Sequence, residues 1–107
     1  MVFSDELIEK VWQKARATSK LSSETWRQDE CGAWMRRDHY GLDRSEFSWK
    51  IENISLGGPD TLENLRPFHR ANLYDHANRR ATCHITADLA DVPAVEQVMG
   101  EPRNRKA

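Results

Sequence analysis

The chain is poor in cysteine, in glycine and proline, and in long apolar runs. Two cysteines in 107 residues are too few for the bridge framework of a small secreted domain, and neither stands in a Cys-x-x-Cys pair that would hold zinc. Cys31 and Cys83 are therefore expected to be buried thiols. No segment approaches the ~20 apolar residues that span a bilayer. The opening MVFSDELIEK carries acids where a secretory signal carries bases and an apolar core, so a soluble, cytoplasmic chain without membrane contact is expected. A basic excess is missing too: 16 Lys and Arg face 17 Asp and Glu. Three of those bases (Arg103, Arg105, Lys106) and one acid lie beyond residue 100, which leaves residues 1 to 100 with 13 bases against 16 acids, a net of −3. Phosphate neutralisation by Lys and Arg dominates non-specific nucleic-acid binding, so the acidic body argues against such a binder while leaving room for a local basic patch. The chain also has no glycine-rich phosphate loop, nucleophile elbow or Cys-His zinc cluster.

What is present suffices for one small domain. Hydrophobic residues make up 38% and the mean hydropathy is −0.81, a modest core under a very polar surface. Ser4 as cap, Asp5 and Glu6 in the first turn, and Leu7, Ile8, Val11, Trp12 and Ala15 at helical spacing predict an amphipathic helix over 4–18. ATSKLSSE (17–24) reads as a connector, followed by a packed segment holding Trp26, Cys31, Ala33, Trp34 and Met35. His39, before a Tyr-Gly turn, reads as a surface or turn histidine. Residues 70–80 read as a helix with Ala71, Leu73 and Tyr74 on its apolar side, 82–87 as a short strand, and 91–99 as a last short helix. Residues 1–99 form the expected single domain, and 100–107 an expected disordered basic tail.

The most informative stretch is FSWKIENISLGGPDTLENLRPFHRANLYDH, residues 47–76. An apolar strand (Trp49, Ile51, Ile54) runs into a Gly57-Gly58 turn, then Asn64-Leu65-Arg66-Pro67-Phe68-His69 and a polar run. This order resembles the HNH endonuclease family, in which a strand ending in Asp-His is followed by a Gly-Gly loop, Asn-Leu-x-Pro-Leu-His and Asn-Asn. Asp29, Cys31, Gly32, Ala33, Trp34, Tyr40, Gly41 and Ser45 extend the resemblance upstream, so that it covers about residues 11–87.

The resemblance implies an α+β fold with an HNH-like ββα-metal core: a hairpin of Trp49–Ile54 and Leu65–Phe68 packed on a helix from Arg70 to Arg80, covered by the N-terminal helix. It also implies which chemistry is gone. In the family an Asp and a closing His or Asn hold a divalent metal, and the His beside the Asp is the general base. Those positions fall here on Glu52, Asn53 and Leu73, while Asn64 is kept and His69 follows Phe68. An amide cannot take up a proton near neutral pH and a leucine cannot bind metal, so Glu52, Asn53, Asn64, His69 and Leu73 read as a vestigial site with no cofactor. Rescue of a metal site by His69 or His76 is the open alternative. The implied function is a catalytically inactive binding module, with Arg66, Arg70, Arg79 and Arg80 as contacts. Its partner would be a protein of nucleic-acid or defence machinery, as for a phage or mobile-element decoy or inhibitor of the anti-CRISPR type. A diverged metal-dependent endonuclease and a DNA-binding pseudo-nuclease are the alternatives.

Overall fold

The computed structural model describes residues 3–88 and 102–107. The described residues build α1 (Asp5–Trp12) and four antiparallel two-stranded ribbons: β1 (Trp26–Gln28) with β2 (Trp34–Arg36), β3 (Trp49–Asn53) with β4 (Leu65–His69), β5 (Leu73–Asp75) with β6 (Arg80–Thr82), and β7 (Ile85–Thr86) with β8 (Arg105–Lys106). This is a small mixed α+β arrangement.

The Ser4 side chain accepts the Leu7 N–H at 3.1 Å and opens α1, with Asp5 and Glu6 at the positive end of the helix dipole. The helix stops at Trp12 instead of reaching residue 18 because other groups capture the chain beyond it. The Arg27 guanidinium donates to the carbonyls of Gln13 and Ala15, and Arg16 forms a two-way backbone bridge with Gln28. Val11, Trp12 and Ala15 then pack with Met35, Trp49 and Leu65 as the core. The rings of Trp12 and Trp49 lie 5.3 Å apart, and Tyr40 meets Trp49 edge-on at 4.8 Å.

The central hairpin is in register Trp49↔His69 through Asn53↔Leu65, close to the expected strands. The helix expected over 70–80 does not form; that segment is the β5–β6 ribbon. Local side-chain bonds to the backbone outcompete the helix. His69 Nδ1 accepts the Ala71 N–H, and both Asp75 carboxylate oxygens wrap the turn, accepting from Ala77 N, Asn78 N and Asn78 Nδ2. Arg79 completes that turn in the left-handed region at φ 55°. The strand expected at 82–87 is split between the end of β6 and β7.

The cysteines also differ from expectation. Cys31 and Cys83 are not free thiols but form a disulfide with Cα atoms 5.5 Å apart. Two cysteines 52 residues apart in sequence gave no pairing signal, and their contact depends on the turns that carry them. The disordered tail expected at 100–107 differs from what residues 102–107 do: β8 pairs with β7, Arg103 reaches Glu46, and the Asn104 side chain bonds both the N–H and the C=O of Trp34. The helix expected at 91–99 lies outside the described residues. Among the described residues no helix is long and apolar enough to cross a membrane.

Candidate functional site

The β3–β4 ribbon fixes which of the aligned positions can meet. Cross-strand partners share a face and successive residues alternate. Glu52, opposite Arg66, therefore lies on the face of Lys50 and Phe68, whereas His69, opposite Trp49, lies on the other. Three residue steps separate the two along the strand, about 10 Å. Glu52 and His69 do not converge on one ion. Leu73 is exposed and its neighbour Asn72 is fully buried.

Each polar side chain at these positions already makes at least one hydrogen bond within the fold. Glu52 Oε1 accepts the Tyr74 N–H at 3.1 Å, while the buried Oε2 makes no hydrogen bond among the described residues and has only the charge of Lys50 Nζ 2.9 Å away. The Asn53 amide nitrogen reaches Gly58 O, Pro59 O and Asp60 Oδ1, each at 3.1 Å, while its oxygen accepts the Ser55 N–H. Asn64 Nδ2 donates to the same Pro59 carbonyl at 3.0 Å. Both asparagines thus stitch the Gly57-Gly58-Pro59 turn to the strands. Gly58 is required there, since an added Cβ would stand 2.5 Å from Ser55 Oγ. His76 Nε2 donates to Asn53 O at 2.9 Å, and its ring packs edge-on against Tyr74.

His69 is buried and its two ring nitrogens are engaged in a definite order. Nδ1 accepts from Ala71 N–H, so the proton sits on Nε2 and is donated to Glu46 O at 2.6 Å. Burial pushes the imidazole pKa below its ordinary value, with the Glu46 carbonyl and Asp29 opposing that shift. His39 behaves as a turn residue, its Nδ1 2.5 Å from Ser45 Oγ.

The residue around which this region closes is Asp29, which the sequence marked as part of the resemblance but not as a site residue. It is 2% exposed. Oδ1 accepts the N–H groups of Cys31 and Ala33, and Oδ2 accepts those of His69 and the Asn72 side chain, all at 2.9–3.0 Å. Asn72 completes its own set through Ile85 O, His84 N and Ile85 N. The carboxylate thereby joins the β1–β2 turn, the end of β4 and the β6–β7 connection, and Cys31–Cys83 links the same parts covalently.

The four arginines do not form one patch. Arg66 donates to Glu30 at 2.8 Å and lies over the Tyr74 ring at 5.7 Å. Arg70, at the opposite end of β4, reaches Leu42 O at 3.2 Å. Arg79 and Arg80 are exposed at the β5–β6 turn.

Among the described residues, open clefts lie on either side of α1 and its C-terminal extension. The larger, about 490 Å³, runs between α1 and the residues around β2, with Ile8, Trp12 and Trp49 beneath Glu9 and Arg37, which pair with each other. The smaller, about 270 Å³, has Lys14, Arg16 and Arg66 on its wall. Among the described residues no three His, Cys, Asp or Glu side chains group as a metal site. No protein-family model, curated protein or solved structure matches the chain.

Proposed function

We propose that the chain is a catalytically inactive HNH-like binding module that contacts a protein of nucleic-acid or defence machinery, as an inhibitor or decoy would. The observation that carries this reading is the engagement of Glu52, Asn53, Asn64 and His69 in bonds that hold turns and strands together. A hydrolytic centre needs a base free to take a proton and ligands that face one ion. Here the candidate base is an amide bound to a turn, and the Glu52 carboxylate and the buried His69 imidazole lie on opposite faces of the ribbon.

The acidic balance of residues 1 to 100 favours a protein over a nucleic-acid backbone as the partner. Arg66, Arg70, Arg79 and Arg80 are the proposed contacts, since arginine serves both kinds of interface. A cytoplasmic setting belongs to the proposal with one condition. The cytosol keeps thiols reduced, so there the Asp29 network must hold the domain without the Cys31–Cys83 bond.

The test pairs capture from the native host with a cleavage assay on plasmid and single-stranded DNA with Mg²⁺, Mn²⁺, Ni²⁺ or Zn²⁺. A stoichiometric protein complex, lost on charge reversal of the four arginines, and no cleavage are expected. Cleavage abolished by Glu52→Ala or His69→Ala would overturn the inactive reading. Tight DNA retention with a salt slope that flattens on the same reversals would replace the protein partner with nucleic acid.

A further inference from the structure

The smaller cleft combines cations in three different conditions. Lys14 is fixed, its ammonium donating to the carbonyls of Leu62 and Leu65 at 2.6 and 2.5 Å, with one N–H left over. Burial and then the nearby Arg66 push its pKa down, against the pull of Glu30 and Glu63. Arg66 is held by the half-exposed Glu30. Arg16 is anchored by its backbone, bonded to Gln28 in both directions at 2.8 and 2.9 Å, while its guanidinium has no partner among the described residues. Of the two carboxylates on the wall, Asp29 directs both oxygens to N–H groups within the fold. Among the described residues of the wall, Glu30 is the carboxylate paired with a cation, with Glu63 acting on Lys14 from outside the cleft, so the wall offers an anion that can be exchanged for another.

We propose that this cleft binds a small phosphomonoester, whose phosphate displaces the Glu30 carboxylate from Arg66 and is held by Arg66, Arg16 and the remaining N–H of Lys14. A phosphate dianion brings more charge and more acceptor oxygens than the carboxylate it replaces, and arginine forks match its geometry. The cleft, at about 270 Å³, falls just under the ~300–1,000 Å³ of sites for drug-sized ligands. That size suits a phosphate with a short organic group. A polymer backbone would need a continued basic track, and the arginines are instead dispersed. Arg66 is shared with the partner surface proposed above, whereas Arg16 and Lys14 belong to this cleft alone, so Arg16→Ala tests the cleft without touching the partner contacts.

The experiment titrates the full chain with glycerol 3-phosphate, followed by NMR of the Arg16, Arg66 and Lys14 signals, with a glutamate hexapeptide and a single-stranded decanucleotide as parallel probes. Saturable one-to-one binding of glycerol 3-phosphate is expected. Arg16→Ala, at an exposed side chain outside the core, should weaken it roughly tenfold, the worth of one charge-assisted hydrogen bond. Glu30→Gln should tighten it by freeing Arg66. No saturation by about 10 mM, a range in which even weak specific sites fill, would overturn the proposal. So would binding unaffected by Arg16→Ala in a variant with wild-type circular dichroism, or tighter binding of the decanucleotide or the hexapeptide.

Discussion

Asp29→Asn is the substitution that tests the architecture most directly. It leaves volume and shape almost unchanged and turns one carboxylate oxygen into a donor. In one orientation the new NH₂ faces the N–H of His69 and the Asn72 amide; in the other it faces the N–H groups of Cys31 and Ala33. Either way two buried donors lose their acceptor and meet another donor. A buried donor left unmade costs about 1–3 kcal/mol, so a loss of about 3–4 kcal/mol is expected. With a urea slope of roughly 1–3 kcal/mol/M for a domain of this size, the midpoint should fall by about 2 M in urea unfolding followed by tryptophan fluorescence. A loss below about 1 kcal/mol, the net worth of one ordinary hydrogen bond, would refute the assignment of Asp29 as the joint of the fold.

Three further outcomes follow from the same structure. Reducing Cys31–Cys83, which closes a loop of 52 residues, should remove about 4 kcal/mol by the chain-entropy relation; calorimetry with and without reductant should show a fall in Tm of roughly 15 °C or more, and an unchanged Tm with two titratable thiols would contradict it. His69 is held neutral with a pKa below that of the unfolded chain, so its contribution is fully present above the unfolded value and is lost as pH falls from there towards the folded value. His69→Gln should therefore flatten the acid side of the stability curve relative to wild type, and parallel curves would remove His69 from the account. Arg27 donates to Ser23 O, Gln13 O, Ala15 O and Gln13 Oε1 and lies 6.0 Å over Trp12; lysine cannot reproduce that fork, and Arg27→Lys should cost about 2 kcal/mol in denaturant unfolding.

What could be read from the chain alone depended on whether the signal was local. The Ser4 cap, the acids after it and the spacing through Trp12 describe a helix that needs only its own residues, and alternation at Trp49 and Ile51 with the Gly57-Gly58 turn describes the hairpin. Where the helix would end was hidden, because the group that captures the carbonyls just beyond it, those of Gln13 and Ala15, is Arg27. The segment 70–80 was misread because Ala71, Leu73 and Tyr74 mimic an apolar helical stripe, while Asp75 and Asn78, which turn the chain, look like ordinary surface polars. Asp29 and the two cysteines were opaque for a similar reason. Their partners lie some 40 to 52 residues away, and composition and periodicity do not register such distances. For the aligned positions, sequence named the residue types but not that Glu52 and His69 face opposite ways.

The reach of Asp29 also governs when this domain can exist. Two of its four bonds and the adjoining disulfide join residues 29–33 to residues 69–83, and Asn104 closes over Trp34 from farther still. Contacts of such separation must be formed before loop-closure entropy is offset, which slows folding relative to helical chains of similar length. During synthesis residues 12–49 emerge with all four tryptophans before residues 69–85 are there to gather them. Acquisition of the native state is accordingly a late event, and an interval of exposed aromatic surface precedes it, in which chaperone capture competes with folding.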